Sequence, residues 1–189
     1  MNTLHPGVDS PNSNGLPLSV FPASIETSRF ILRELSVSNV TDRYLEWLSD
    51  PAAQKWIGAA GPAQRLADLE DYVLQRVGRA DVLFLGIFDK INDVHIGNIK
   101  YEPVLPSQGS AVMGILIGDP SFRGKGVFKE VFGASAAWLK KERRVDRIYL
   151  GVEHANQAAL KAYKNAGFVP DLALRDPNKP EILRMVFHV

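Results

Sequence analysis

The chain has 189 residues, with 22 lysines and arginines against 21 aspartates and glutamates, no cysteine, and 46% hydrophobic residues. This length and composition suit one globular domain with a sizeable core. A net charge of +1 excludes the strongly basic surface of a general nucleic-acid binder, and the lack of cysteine excludes a thiol nucleophile and cysteine-ligated metals. No apolar run approaches the roughly 18–20 residues that span a bilayer, and the histidines lack metal-ligand spacing. We therefore expect a cytoplasmic protein with no nucleic-acid partner, no membrane partner and no metal.

Residues 1–24 differ in composition from the rest of the chain. Proline, serine, asparagine and glycine make up 13 of these 24 residues. Too little apolar surface is left to offset the cost of ordering the chain, about 1–2 kcal/mol per residue. We predict a flexible tail here and a single domain over residues 25–189. Four apolar side chains of the tail could still dock on the domain, or on a second subunit of a homodimer: Leu16, Leu18, Val20 and Phe21.

Hydrophobic periodicity predicts the elements of the domain in chain order. The first part holds one strand and three helical segments: a strand at 30–35, a helix at about 40–49 capped near Ser38 and Asn39, a short piece with Trp56 and Ile57, and a helix from Pro62 to about Gly78. The later strands are expected at 82–88, 94–104, 111–117, 147–153 and 181–189, and the later helices at about 124–142 and 156–166. This order indicates a mixed α/β fold.

The segment GILIGDPSFRGKGVF at residues 114–128 is a strand that runs into a glycine-spaced turn and opens a helix. A helix N-terminus presents unpaired backbone N–H groups and a partial positive charge, which favour an anion. Gly124 and Gly126 let a phosphate approach the backbone, while Arg123 and Lys125 add charged donors. The spacing matches neither the P-loop nor the dinucleotide motif, so ATP and NAD are poor candidates. Taken alone, such a turn is more often structural than a ligand site.

A second block, NQAALKAYKNAGF at residues 156–168, changes this interpretation. Together the two blocks resemble the GNAT superfamily of acyl-CoA-dependent N-acyltransferases. The segments at 27–35, 44–51 and 95–100 are similar to one branch of it, which contains ribosomal-protein N-terminal acetyltransferases and amino-sugar acetyltransferases of surface-polysaccharide pathways. The resemblance covers residues 27 to about 170. It implies a single GNAT-type domain, with a central, mostly antiparallel, splayed sheet flanked by helices.

The resemblance implies acetyl-CoA as co-substrate and assigns its contacts. Backbone amides of the turn would hold the CoA pyrophosphate: Arg123, Gly124, Lys125, Gly126, Val127 and Phe128. The strand end would pair with the pantetheine amides as an added half-strand: Leu116, Ile117 and Gly118. Asn156 would hydrogen-bond the pantetheine arm, and the Tyr163 phenol would protonate the departing thiolate as general acid.

Two residues depart from the family pattern. Phe128 stands where the motif usually has a third glycine or alanine, and it either starts the apolar stripe of the helix or points at CoA. Val112 replaces an acidic residue that serves many members as a base through water. Candidate bases are His154, whose ordinary pKa of about 6.5 suits the task, and Glu102. His154 could instead cap a turn, Glu102 could be an exposed strand carboxylate, and water could take the proton.

The acceptor would be a small-molecule or peptide amine, either an amino-sugar nucleotide or a protein N-terminus. Trp56, Arg65 and Arg76 near the acceptor helices lean towards the sugar, whereas Trp47 and Tyr72 at helical spacing are more often core residues. The basic run at 140–144 suits a solvated helix end, with a CoA 3′-phosphate contact as the alternative. A non-catalytic acyl-CoA-binding module, as a monomer or homodimer, is the competing interpretation that Val112 and Phe128 permit.

Overall fold

The computed structural model describes residues 24–56 and 65–189. Eight strands form one sheet. They are β1 (Ile25–Glu26), β2 (Phe30–Glu34), β3 (Leu83–Asp89), β4 (His95–Leu105), β5 (Ser110–Ile117), β6 (Arg147–Glu153), β7 (Val169–Pro170) and β8 (Ile182–His188). The α-helices in the described ranges are α1 (Asp42–Ser49), α2 (Pro51–Gln54), α3 (Leu66–Leu74), α4 (Val127–Arg143) and α5 (Gln157–Asn165). The predicted mixed α/β fold is confirmed.

The sheet has the strand order β1-β2-β3-β4-β5-β6-β8-β7. Every neighbouring pair is antiparallel except β5 and β6, which are parallel and joined through α4. The β5–β6 ladder ends at the pair Val112 and Tyr149, although β5 continues to Ile117 and β6 to Glu153. The two strands therefore part, and we call the opening between residues 113–117 and 150–153 the split.

The sheet buries a different core on each face. On the first, the α4 face, the Tyr101 hydroxyl contacts the Ser135 hydroxyl of α4 at 2.7 Å inside the main core. On the second, the α1–α3 face, a smaller core forms under those helices: Leu35, Tyr44, Trp47, Leu69, Val73, Val82 and Phe84. Because side chains alternate along a strand, Lys100, opposite Phe84 in the register, lies on the α1–α3 face.

Local hydrogen bonding moves two of the predicted boundaries. Helix α1 is capped by Thr41, whose hydroxyl accepts from the Tyr44 N–H at 3.3 Å, and not by Ser38 or Asn39, because those residues belong to a preceding 3₁₀ turn. Helix α4 begins at Val127 because Gly124 and Gly126 have φ values of +72° and +74°, which no right-handed helix contains. The predicted helix start at Pro62, Ile57 and the apolar side chains of the tail lie outside the described residues.

Candidate active site

The backbone of β5 presents hydrogen-bonding groups to the split. The Gly109 carbonyl accepts from the N–H of Arg147 on β6 at 3.0 Å. Because the backbone N–H and C=O groups of successive residues point to the two neighbours of a strand in turn, those of the odd-numbered residues of β5 point towards β6. The backbone N–H and C=O groups of Ile115 and Ile117 therefore point into the split. The Leu116 carbonyl faces β4, since a Cβ built on Gly97 would lie 2.3 Å from it. Among the strand residues predicted to bind pantetheine, the N–H of Ile117 thus lies towards the split and the carbonyl of Leu116 lies towards β4.

Arg123 turns back onto the end of β5. Its Nε donates to the Ile117 carbonyl at 3.0 Å, and its Nη2 donates to the Gly118 carbonyl at 2.8 Å. Its Nη1 pairs with Asp50, after α1, at 2.8 Å, and its own N–H donates to Pro120 at 3.2 Å. The guanidinium thus holds the strand end in shape. Its side chain and its own N–H are therefore engaged within the protein.

The turn before α4 holds a row of unpaired donors. The first hydrogen bond of the helix runs from the Glu130 N–H to the Gly126 carbonyl at 3.4 Å. The N–H groups of residues 124–129 donate to no acceptor within residues 24–56 and 65–189. A Cβ on Gly124 would meet nothing within 4 Å, and one on Gly126 would meet only the Arg29 Nη2 at 3.9 Å. Exposed Lys125 lies between the two glycines. Such a concave row of amides at a helix N-terminus binds anions.

Glu130 ties this turn to the edge of the sheet. Its carboxylate accepts from the Thr27 hydroxyl at 2.8 Å, from the Arg29 N–H at 2.7 Å and from the Arg29 Nε at 2.8 Å. Burial alone would raise the pKa of Glu130, but these hydrogen bonds outweigh it and lower the pKa. The tie also brings the Arg29 guanidinium to the mouth of the turn. Short-range sequence patterns do not predict this tie, because the partners are about a hundred residues apart.

Tyr163 and Phe128 meet beside the turn. The ring of Tyr163, on α5, lies edge-on to Phe128 with 5.1 Å between centroids, and Phe128 also stacks on Phe132 at 5.3 Å. Phe128 therefore belongs to the apolar stripe of α4 and also lines the side of Tyr163. Burial raises the pKa of the Tyr163 hydroxyl to about 12, so it is protonated at neutral pH. It makes no hydrogen bond within the described ranges.

Asn156 is the N-cap of α5. Its side-chain oxygen accepts from the Ala159 N–H at 3.1 Å, which anchors the start of the helix that carries Tyr163. The oxygen is occupied by the cap, and the side-chain NH₂ is the group left for a ligand.

The model of the acetyltransferase (GNAT) domain matches residues 29–169. The chain belongs to the GNAT acetyltransferase family. The predicted resemblance is thereby confirmed. A search of curated proteins found no match.

Solved acetyltransferase structures share the fold at low identity. The ribosomal L7/L12 α-N-protein acetyltransferase in complex with coenzyme A is 15% identical, with a TM-score of 0.74 over 88% of this chain and 98% of that one. Spermidine N-acetyltransferase from Vibrio cholerae, with CoA and spermine, is 19% identical, with a TM-score of 0.72 over 85% and 96%. The microcin C7 self-immunity acetyltransferase, with acetyl-CoA and AMP, is 15% identical, with a TM-score of 0.73 over 90% and 99%. At these identities the likeness shows the fold alone.

The two candidate bases of this GNAT domain lie in different environments. His154 is exposed in the turn after β6. Its backbone N–H donates to the Glu181 carbonyl at 2.9 Å, and its backbone carbonyl accepts from the Gln157 side chain at 2.7 Å. Glu102 is 19% exposed and accepts from the Arg76 Nε at 2.9 Å and the Lys100 Nζ at 2.7 Å.

The partners of Glu102 decide its acidity. Burial alone would raise the pKa of its carboxyl, but the hydrogen bonds and charges of Lys100 and Arg76 outweigh it and lower the pKa. Arg79 approaches the other carboxylate oxygen at 3.4 Å. A carboxylate with a lowered pKa and occupied lone pairs is a poor proton acceptor. It is not the exposed strand carboxylate of the alternative interpretation either.

The three aromatic residues near the predicted acceptor helices differ in their contacts. Trp47 is a core residue, 5% exposed, and its ring lies 5.0 Å from that of His95. Tyr72 is half-buried under the Arg76 guanidinium, 3.6 Å from the ring centroid. Trp56, in the turn after α2, has the Lys55 Nζ 4.7 Å from its ring.

The remaining predicted basic residues have local partners. Arg65 pairs with Asp68 on the surface of α3 at 2.7 Å. In the basic run at 140–144, the Lys140 Nζ donates to the Val189 carbonyl and the Arg143 Nη2 donates to the Ala80 carbonyl. These contacts are typical of a basic helix end. Within the described ranges, no three metal-ligating side chains are grouped, and no helix has the length and apolar character needed to cross a membrane.

Proposed function

We propose that this GNAT domain transfers the acetyl group of acetyl-CoA to a primary amine. The observation that carries the proposal is the alignment of three features: the unpaired amides of residues 124–129, the split with Ile115 and Ile117 facing it, and the Tyr163 hydroxyl. An acyl-CoA has three matching parts, namely a diphosphate, an arm with two amide groups, and a thioester sulfur.

The orientation of the backbone revises the proposed contacts. The amides of Gly124, Gly126 and their neighbours would hold the diphosphate, with Arg29 and Lys125 at the mouth of the turn. Along the split, the N–H and carbonyl of Ile115 and the N–H of Ile117 would pair with the pantetheine amides. The Ile117 carbonyl is already bound by Arg123. The side-chain NH₂ of Asn156 would reach the same arm.

The transfer needs an attacking amine and a stabilised leaving group. The amine lone pair attacks the thioester carbonyl carbon, a C–N bond forms, and the C–S bond breaks. The pKa of Tyr163, about 12, lies above the roughly 8.5 of a thiol. Complete proton transfer to the sulfur is therefore uphill, and we propose that Tyr163 stabilises the departing thiolate by donating a hydrogen bond. CoA then leaves as a thiol after taking a proton from water.

The proton of the attacking amine requires a separate acceptor. Val112 has no acidic group, and Glu102 is held by Lys100 and Arg76. We propose that water takes the proton and that positioning supplies most of the rate. His154, exposed near the end of the split, remains the candidate side chain.

The acceptor is proposed to be an amino-sugar nucleotide or a protein N-terminus. The competing function is a non-catalytic acyl-CoA-binding module, for which the contact of Phe128 with Tyr163 is the relevant observation, because the ring fills space where the family motif has a small residue. Release of free CoA thiol during incubation with acetyl-CoA and an amine panel tests the proposal. An enzyme releases thiol in proportion to amine. A binding module shows a melting shift with acetyl-CoA and no amine-dependent release.

A further inference from the structure

Two glycines border the split on the α1–α3 face. Beyond the last pair, Val112 and Tyr149, the next residues on that face are Gly114 on β5 and Gly151 on β6, because side chains alternate along each strand. A Cβ built on Gly114 would meet nothing within 4 Å. Among residues 24–56 and 65–189, nothing therefore covers Gly114 on the side of the sheet opposite α4.

Arg184 lies over the second glycine. It pairs with Gly151 in the β6–β8 register, and a Cβ on Gly151 would come within 2.9 Å of its Nη1 and 3.6 Å of its Cζ. The guanidinium thus occupies the space that any larger side chain would need. Arg184 is half-buried, and its backbone carbonyl accepts from the Asp171 N–H at 2.9 Å. Its guanidinium, however, makes no hydrogen bond or ion pair with the residues at 24–56 and 65–189. Glu153, further along β6, is not paired with it.

The opposite side of the split is also cationic. Lys100 pairs with Gly114 in the β4–β5 register, and its Nζ donates to the Tyr72 hydroxyl and to Glu102, both at 2.7 Å. Arg76 shares the same carboxylate at 2.9 Å. Three cations, Lys100, Arg76 and the more distant Arg79, therefore share Glu102 on one side of the opening. The unpaired guanidinium of Arg184 lies on the other. A guanidinium offers up to five donors in a planar fork suited to carboxylate and phosphate.

We propose that Arg184 binds an anionic group of the acceptor, so that this domain acetylates amines that also carry a phosphate or a carboxylate. The inference rests on the proposed acetyl transfer. The amine would lie over Gly114, where the missing side chain leaves room, and its anionic group would lie over Gly151. Paired strands are about 4.8 Å apart and these have parted, so the two groups of the acceptor are separated by more than about 5 Å. The cations of both sides disfavour a polyamine.

Matched amines test this assignment. Glucosamine 6-phosphate is compared with glucosamine, and 5-aminopentanoate with 5-aminopentanamide, because both anionic members can separate the amine from the anionic group by more than about 5 Å. The assays use saturating acetyl-CoA with thiol release as the readout, and spermidine is the polycationic comparison. We expect the anionic member of at least one pair to have a kcat/KM higher by roughly 10- to 100-fold, as for one charge-assisted hydrogen-bonded contact. The pair that responds identifies phosphate or carboxylate. Spermidine should be the poorest substrate.

Substitution of Arg184 is the second test of the proposal. Arg184→Gln should reduce the preference to within about twofold while leaving KM for acetyl-CoA unchanged, and Arg184→Lys should keep part of it. Gly151→Ala should displace the guanidinium and give an intermediate loss. Arg144→Gln, which removes the same charge at the exposed C-terminal end of α4, is the control and should change nothing. Melting temperatures verify that each variant is folded.

Calorimetric binding of the same amines to the CoA-saturated protein separates the two proposals. Arg184-dependent binding of glucosamine 6-phosphate or 5-aminopentanoate without thiol release from any amine would leave the recognition intact and refute acetyl transfer. Thiol release with glucosamine as good as with its phosphate, and with 5-aminopentanamide as good as with 5-aminopentanoate, would support transfer and overturn the role of Arg184. The role is equally overturned if neither anionic amine binds nor reacts, or if Arg184→Gln affects both members of a pair alike.

Discussion

Replacing Gly126 by alanine is the sharpest test of the anion site at the start of α4. Gly126 has φ +74°, and its Cβ would project into the open space beside the unpaired amides. Gly78 provides a matched control, because it has φ +75°, is also exposed, and would place its Cβ in open space far along the chain from this turn. Both substitutions force a non-glycine residue into the left-handed region, which costs about 1–2 kcal/mol.

The two variants should therefore lose similar stability and differ in ligand response. Acetyl-CoA at 100 times Kd stabilises a one-site protein by about 2.7 kcal/mol. If the alanine methyl group weakens binding 10- to 100-fold, the gain at the same concentration falls to about 1.4–0.4 kcal/mol. In a domain of this size, each kcal/mol corresponds to a melting shift of about 2–4 °C, so the difference is measurable.

Thermal melts with and without acetyl-CoA provide the assay. We expect Gly78→Ala to retain the full ligand-induced shift and Gly126→Ala to lose at least half of it, with similar far-UV circular dichroism spectra. A full shift in Gly126→Ala would mean that CoA does not lie against these amides. No shift in the wild-type protein at saturating acetyl-CoA would refute the proposed co-substrate altogether.

Two further predictions concern side chains near the split. Tyr163→Phe should lower kcat by about 10²-fold, as for the loss of one hydrogen-bond donor to a developing anion, with an unchanged KM for acetyl-CoA in initial-rate assays. Full turnover would make Tyr163 a packing residue. Glu102→Gln should keep kcat within about tenfold, because its lowered pKa makes it a poor base, and a loss of several hundredfold would restore it as the base. The same lowered pKa means that ionised Glu102 contributes stability above its unfolded pKa, roughly 4.3, which is lost as pH falls through its folded value. The melting temperatures of wild type and Glu102→Gln should therefore converge below about pH 4, as thermal melts from pH 7 to pH 3 would show.

Local patterns predicted the elements of the fold better than the contacts of the site. The stripe of α4 and the alternation of β5 are short-range properties, so both elements were located from hydrophobic spacing alone. The start of α4 was misplaced, because two glycines in the left-handed region delay the helix to Val127. That conformation favours glycine, and the spacing of Gly124 and Gly126 is the signal that could have located it.

Contacts between distant segments were not predictable in the same way. Beside two glycines, an arginine suggests a phosphate ligand, yet Arg123 binds two carbonyls of its own chain. One is that of Ile117, which the separation of β5 from β6 leaves without a strand partner, and the other is that of Gly118, just beyond the end of β5. The tie from Glu130 to Arg29 and the placement of Arg184 over Gly151 depend on strand register and helix packing. No single stretch of sequence contains that information.

The short ladder between β5 and β6 also has a mechanical consequence. The β5–β6 ladder has three residue pairs, from Ser110 with Arg147 to Val112 with Tyr149. This ladder joins strands β1–β5 to strands β6–β8, which we call the two half-sheets. Without a ligand, these half-sheets can open locally with little loss of backbone pairing, so the amide hydrogens along residues 113–117 that face the split should exchange rapidly. A ligand strand laid into the split would bridge the half-sheets. If the ligand bridges the half-sheets, amide hydrogen exchange at Ile115 and Ile117 should slow when it binds, and exchange along β6 should slow with it. That result would show that the two half-sheets open as one cooperative unit only when the ligand is bound.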